Sequence, residues 1–127
     1  FDDALSEVKR GTNSAADRLR GYVGLYQDAL QGGKTICLCV ALSSDRNSLD
    51  DATLNEISRF HAMSLAWLET LFDDAKSDGS IKSVMDSKLE AAQCLALVEG
   101  AQLMAHAQHD VDVFISATEL LLARVSA

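Results

Sequence analysis

The chain has 127 residues, no proline, 48% apolar and 6% aromatic residues, and nineteen acids against eleven Lys plus Arg, a formal net charge of −8. At this length one domain around one core is expected. The composition excludes collagen-like and proline-rich repeats and disfavours a turn-rich β-sandwich, a disordered chain and phosphate binding through the chain's general field.

Phe1, Leu5 and Val8 fall at i, i+4, i+7, so an apolar helical stripe runs from the first residue, with no cap before it. The sequence is expected to begin inside, or just before, a helix of a longer protein. The first helical segment covers residues 1 to about 10 and ends near Gly11-Thr12-Asn13. Ser14 then caps a second segment, with Asp17 at capping-box spacing. Leu19, Tyr22 or Val23, Tyr26 and Leu30 form its apolar face. Gly21 and Gly24 weaken this segment by about 1 kcal/mol each relative to Ala, which points to close packing or a bend. Gly32-Gly33 stops it.

Thr35 to about Ser43 is an apolar stretch that periodicity alone assigns equally to a strand or a short buried helix. No second strand candidate exists for it to pair with, so a short helix is expected. It contains the longest apolar run of the chain, the seven residues Ile36 to Leu42, far short of the roughly 18 that a membrane span needs. No membrane partner is expected. The first residues carry no charged region followed by an apolar run.

The fourth segment runs from Ser48, the expected cap, to about Lys76, with Gly79 as terminator. Leu54, Ile57, Phe60 or His61, Ser64, Leu68, Leu71 and Ala75 recur on one face. Residues 44 to 80 hold eight acids and three bases, so much of the acidic excess lies around this helix. Asp86 caps a fifth segment, Leu89 to about Ala107, which is apolar nearly all round. Such a helix is buried on more than one face, and one of those faces suits a partner subunit. The sixth segment starts near Asp110 and ends near Ser126, with Phe114, Ala117 or Thr118, Leu121 and Val125 in one stripe. An all-α fold of about six helices accounts for the missing proline, since proline inside a helix costs about 3 kcal/mol.

This order of helices resembles the C-terminal ligand-binding and dimerisation bundle of the tetracycline-repressor (TetR) family. The likeness is carried by Ala16-Asp17-Arg18-Leu19, Gly33 with Ile36-Cys37-Leu38, Phe60 with Trp67-Leu68, Asp78-Gly79-Ser80-Ile81, and Ala92 with Leu95, Leu97, Glu99-Gly100-Ala101 and Leu103. It covers essentially the whole chain. The resemblance implies a cytoplasmic transcription regulator, a repressor, whose missing N-terminal helix-turn-helix domain reads operator DNA as a dimer. It implies a small-molecule effector held among the second to fifth helices, pairing through the last two helices into a homodimer, and no enzyme activity. The interface candidates are then Leu89, Gln93, Ala96, Gly100 and Met104 with Phe114, Thr118, Leu121 and Val125. Ala96 and Gly100 are small enough for close helix approach.

For the pocket, Tyr22, Tyr26, Phe60, Phe72 and Trp67, with Met63 and Met104, offer an aromatic lining. Aromatic residues at this spacing fill a core equally well, and Tyr22, Tyr26, Phe60, Met63, Trp67 and Leu95 are retained as pocket candidates. Glu99 stands in the most apolar helix, and a buried carboxylate must be paired or protonated. It could cap the pocket, meet Gln102 or His106, or face solvent at the dimer rim. His106 maps to the pocket side of the same helix.

Cys37 and Cys39 point about 200° apart in a helix and cannot chelate one metal together. Cys37, where the short helix enters the pocket region, is either a buried small hydrophobe or a thiol whose pKa the helix N-terminus lowers, a redox or electrophile sensor. His106, His109 and Asp110 have ligand-like spacing, but a helix end after Ala107 breaks it, and a favourable C-terminal dipole explains both histidines. The pairs Asp2-Asp3, Asp50-Asp51 and Asp73-Asp74 are adjacent and share no helical face. No phosphate loop, nucleophile elbow, metal motif or calcium loop is present, and no cofactor is expected. The rival to an effector domain is a helical interaction module without a ligand.

Overall fold

Ser14 opens the first described helix by accepting a hydrogen bond from the Asp17 N–H at 3.1 Å. The structure, a computed structural model, describes residues 14–31, 47 and 49–125. Four helices lie within them: α1 (Ala15–Ala29), α2 (Asp51–Asp78), α3 (Ser87–Gln108) and α4 (Val111–Ala123). Among the described residues the only extended pairing is an isolated antiparallel bridge between Ile81 and Val125. The expected helices at residues 1–10 and 35–43 lie outside the described residues.

The caps follow the sequence closely. Asp86 accepts from the Lys88 and Leu89 N–H groups at the start of α3, and Asp110 accepts from Asp112 N–H at the start of α4. Gly79 ends α2 in the left-handed region, φ 70°, with its N–H on the Ala75 carbonyl. One cap is displaced from its expected place. Asp50, and not Ser48, opens α2, its carboxylate accepting from Thr53 N–H at 2.8 Å. Asp and Ser cap about equally well, so composition alone does not choose between them. α2 has 28 residues and is about 42 Å long.

The start of α1 is also held from far along the chain. Asp78 Oδ2 accepts from Ala15 N–H and Ser80 Oγ from Ala16 N–H, each at 2.9 Å. Arg18 Nη1 pairs with Asp74 Oδ2 at 2.9 Å. First-turn N–H groups have no partner inside their own helix; here the end of α2 supplies one for two of them. The two segments so joined are Ala16-Asp17-Arg18-Leu19 and Asp78-Gly79-Ser80-Ile81.

α3 packs against both α2 and α4, and α1 crosses all three. The core takes Leu19, Tyr22, Val23 and Tyr26 from α1, Leu68, Leu71 and Phe72 from α2, Val98 and Ala105 from α3, and Phe114 from α4. Burying each of the larger side chains contributes about 1.5–3 kcal/mol. At the far end, Arg124 closes the bundle: it makes a two-pronged pair with Glu90 at 2.7 and 3.2 Å and donates to the Lys82 carbonyl.

Two expectations are corrected by this packing. Phe114, Thr118, Leu121 and Val125, assigned to the dimer interface, are all buried within the chain itself. A helix of 13 residues has little stability alone and buries its continuous stripe against its own neighbours. Thr118 tolerates this because its hydroxyl donates to the Phe114 carbonyl at 3.0 Å. Of the two readings of Gly24, close packing or a bend, close packing is excluded: no atom lies within 4 Å of where a Cβ would sit.

Candidate functional site

Between α1, α2 and α3 the sequence places aromatic and polar side chains on facing helical turns. Tyr22 stacks on Trp67 across the α1–α2 contact, with ring centroids 5.4 Å apart and planes 23° apart. Tyr26, one turn further along α1, tilts against Tyr22 at 5.3 Å. Both tyrosines are buried. Burial first, and the neighbouring Tyr26 second, push the Tyr22 phenol far above its ordinary value, so it remains a neutral hydroxyl. Phe60 and Met63 are half-buried on the same helix as Trp67.

Glu99 of α3 faces His61 of α2. Their Oε1 and Nε2 atoms are 3.2 Å apart, within reach of an ion pair. Glu99 therefore meets His61, and not Gln102, His106 or open solvent as the sequence allowed. Gln102 is occupied elsewhere: fully buried, it donates to the Tyr26 carbonyl at 2.9 Å. The Glu99 carboxyl is held above its ordinary range by burial, with the adjacent His61 pulling the other way. His61, Leu65, Ala92, Leu95, Ala96 and Glu99 line an open recess of about 270 Å³ between α2 and α3.

Several buried polar atoms around this region lack a hydrogen-bond partner: Glu99 Oε2, Ser64 Oγ and His106 Nδ1. Protein interiors satisfy nearly all such atoms, and each one left open costs about 1–3 kcal/mol. Of these residues Glu99 lines the recess, and all three atoms are closed off from solvent.

The sequence-predicted pocket residues thus fall into two groups. Tyr22, Tyr26 and Trp67 come together in one stack, while Leu95 and Glu99 come together at the recess. Cys37 lies outside the described residues. His61 was not picked out, although a buried carboxylate needs a partner and His61 shares the Ser64–Leu68 face of α2. Among the described residues no three His, Cys, Asp or Glu side chains gather as metal ligands. His106 and His109 have rings 6.1 Å apart, but His109 has left the helix into the left-handed region, φ 52°. Cys94 is a core thiol, pushed up to about 12 by burial and then by Glu90, with Arg124 opposing.

The outer side of α3 exposes Leu89 (68%) and Met104 (53%), with Gln93, Ala96 and Gly100 also exposed between them. Leu120 of α4 is 83% exposed and Ile115 44%. No described helix is long and apolar enough to cross a membrane.

No protein-family profile matches the sequence, and no curated protein matches it. Solved structures do. A TetR-family transcriptional regulator from Agrobacterium tumefaciens superposes with a TM-score of 0.89 at 22% identity, over 99% of this chain and 67% of that one. The regulatory protein TetR from Rhodobacter sphaeroides gives 0.87 at 20% identity, over 99% and 68%. Reduced E. coli NemR gives 0.81 at 18% identity, over 99% and 66%. The fold of this chain is that of TetR-family regulators, and the chain spans about two thirds of each of those proteins.

Proposed function

We propose that this TetR-type bundle is the effector-sensing and dimerisation domain of a one-component transcription repressor. The observation that supports this reading is the superposition of the bundle on TetR-family regulators with TM-scores of 0.81 to 0.89, together with the Tyr22–Trp67 stack and the apolar recess between α2 and α3, surroundings that suit a molecule with an apolar body and a few polar groups.

In this reading α3 does two jobs. Its inner face, with Glu99 and Leu95, touches the effector. Its outer face, with Leu89, Ala96, Gly100 and Met104, packs against a second copy. A DNA-binding domain, in the third of the superposed regulators that this chain does not match, would read operator DNA in the major groove. The effector binds one arrangement of the dimer better than the other, and that difference in affinity sets how far operator binding shifts. No catalytic role is assigned to any residue, and the protein acts in the cytoplasm.

Trp67 is the only tryptophan and stacks on Tyr22, so its fluorescence reports directly on the site. A small-molecule screen followed by Trp67 emission and thermal shift is expected to yield compounds that change both saturably. A broad screen with no response in either signal would leave the interaction module without a ligand as the better reading.

A further inference from the structure

We propose that His61 and Glu99 form a pH-sensitive clamp between α2 and α3, closed while the two side chains hold one proton between them. The clamp is a property of the bundle itself and stands whether or not an effector binds. His61 Nε2 and Glu99 Oε1 are 3.2 Å apart across the two helices, and the side chains are only 32% and 18% exposed. His61 Nε2 and Glu99 Oε2 are closed off from solvent. The other residues around this contact, Leu65, Ala92, Leu95 and Ala96, offer only hydrocarbon. A net charge is costly in such surroundings, and a neutral pair avoids the cost.

Three proton counts are possible. With one proton, imidazolium faces carboxylate or imidazole faces carboxylic acid, and the pair is neutral either way. With none, a carboxylate is left half-buried beside a neutral ring, in a chain that already carries −8. With two, an imidazolium has only a neutral acid beside it. The proton therefore belongs to the pair and not to either residue. The neighbouring elements leave the pair to itself. Tyr22 and Tyr26 of α1 are buried phenols. On α3, Cys94 is a protonated core thiol, Glu90 is paired with Arg124, and His106 lies about two turns further on. On α2, Glu56 is paired with Arg59. Asp110, Asp112 and Glu119 of α4 are exposed. Among the described residues, His61 is the only charged group that acts on the Glu99 carboxyl; burial, the larger influence, raises it and His61 opposes. A carboxyl held above its unfolded value of 4.5 brings stability that is full below 4.5 and is lost as pH rises through the folded value. Rising pH therefore opens the clamp.

Urea denaturation of the whole chain from about pH 5 to about pH 8, the range in which imidazoles and raised carboxyls titrate, tests this against Glu99→Gln, which is neutral at every pH. The wild-type midpoint is expected to shift downward relative to that of Glu99→Gln as pH rises. A merely structural contact would keep the difference constant. NMR of the side-chain carboxyl carbons and imidazole protons gives a second readout in the folded protein. The Glu99 carboxyl and the His61 ring should respond to the same titration steps. His61→Gln, which removes the opposing pull, should let Glu99 keep its proton to higher pH. The proposal is overturned if wild type and Glu99→Gln differ by the same amount at every pH, if the two side chains titrate independently, or if His61→Gln leaves the Glu99 titration where it was. Should either variant fail to fold, the wild-type carboxyl and ring titrations decide alone.

Discussion

The two sides of α3 differ little in sequence and greatly in what covers them. Its inner side, Cys94, Val98, Ala101, Gln102 and Ala105, is closed by α1, α2 and α4 of the same chain. Its outer side, Leu89, Ala96, Gly100 and Met104, is open. Both are apolar with scattered small residues. The difference lies in which side has neighbours within the chain, and apolar content cannot reveal that. An open apolar stripe on a folded domain marks an interaction surface, which is why the outer side is the one assigned to a partner copy.

The sharpest test of that contrast compares two large residues of α4. Phe114 is fully buried and Leu120 is 83% exposed. Phe114→Ala should cost roughly 3–5 kcal/mol and lower Tm by about 10 °C or more, whereas Leu120→Ala should stay within about 0.5 kcal/mol for the single chain. Equal effects in a thermal melt would erase the distinction between inside and outside. The next largest effect is on assembly. Met104→Glu combined with Leu120→Glu places two charges on the open face, and light scattering should then report a monomer with unchanged helix content. A wild-type monomer at micromolar concentration, or a double variant that still dimerises, would remove the partner from that face.

The caps show what was legible in the sequence. Ser14, Gly79, Asp86 and Asp110 each act at the expected place, because capping depends on a few adjacent residues. What the sequence hid was non-local. Nothing in the spacing of Asp78 and Ser80 says that they receive the first N–H groups of a helix more than sixty residues earlier. Nothing in the sixth segment says whether its apolar stripe turns inward, and the stripe from Phe114 to Val125, assigned to the dimer interface, is the buried one. The site was legible in part: the aromatic stack could be assembled from helical spacing, but the partner of Glu99 could not, since three polar residues competed for it and only the helix crossing brings His61 to 3.2 Å.

The α1 latch offers a polar contact inside the chain to set against the open apolar face. Asp78→Ala removes the acceptor of the Ala15 N–H and should cost about 1 kcal/mol, as lost caps do, with no change in oligomeric state. Slight burial raises the Asp78 carboxyl, but the hydrogen bonds from Ala15 and Ser80 and the charge of Arg18 outweigh it, and the net shift is downward. A carboxylate whose folded value is depressed adds stability that is present above the unfolded value of 3.8 and is lost as pH falls through the lower folded value. The gap between wild type and Asp78→Ala should therefore be full at neutral pH and close below about pH 3.8. A gap that persists unchanged into strong acid would show that the carboxylate charge is not what holds α1.

The smallest effect separates the two readings of the open face most finely. Gly24 and Gly100 are both helical, and a Cβ added to either meets nothing within 4 Å in the chain. Each Gly→Ala change should therefore stabilise the isolated chain by about 1 kcal/mol through helix propensity alone. Gly24 lies on α1, away from the proposed seam, and its gain should not depend on protein concentration. Gly100 lies on the seam, where a second helix would occupy the space that the glycine leaves. Denaturation at low concentration should show equal gains for Gly24→Ala and Gly100→Ala. At concentrations where the chain pairs, the Gly100→Ala gain should shrink or reverse as the added methyl holds the two helices apart, while the Gly24→Ala gain stays. Equal gains at every concentration would mean that no helix comes close at Gly100, and the seam would then have to run past it along Leu89 and Met104 alone.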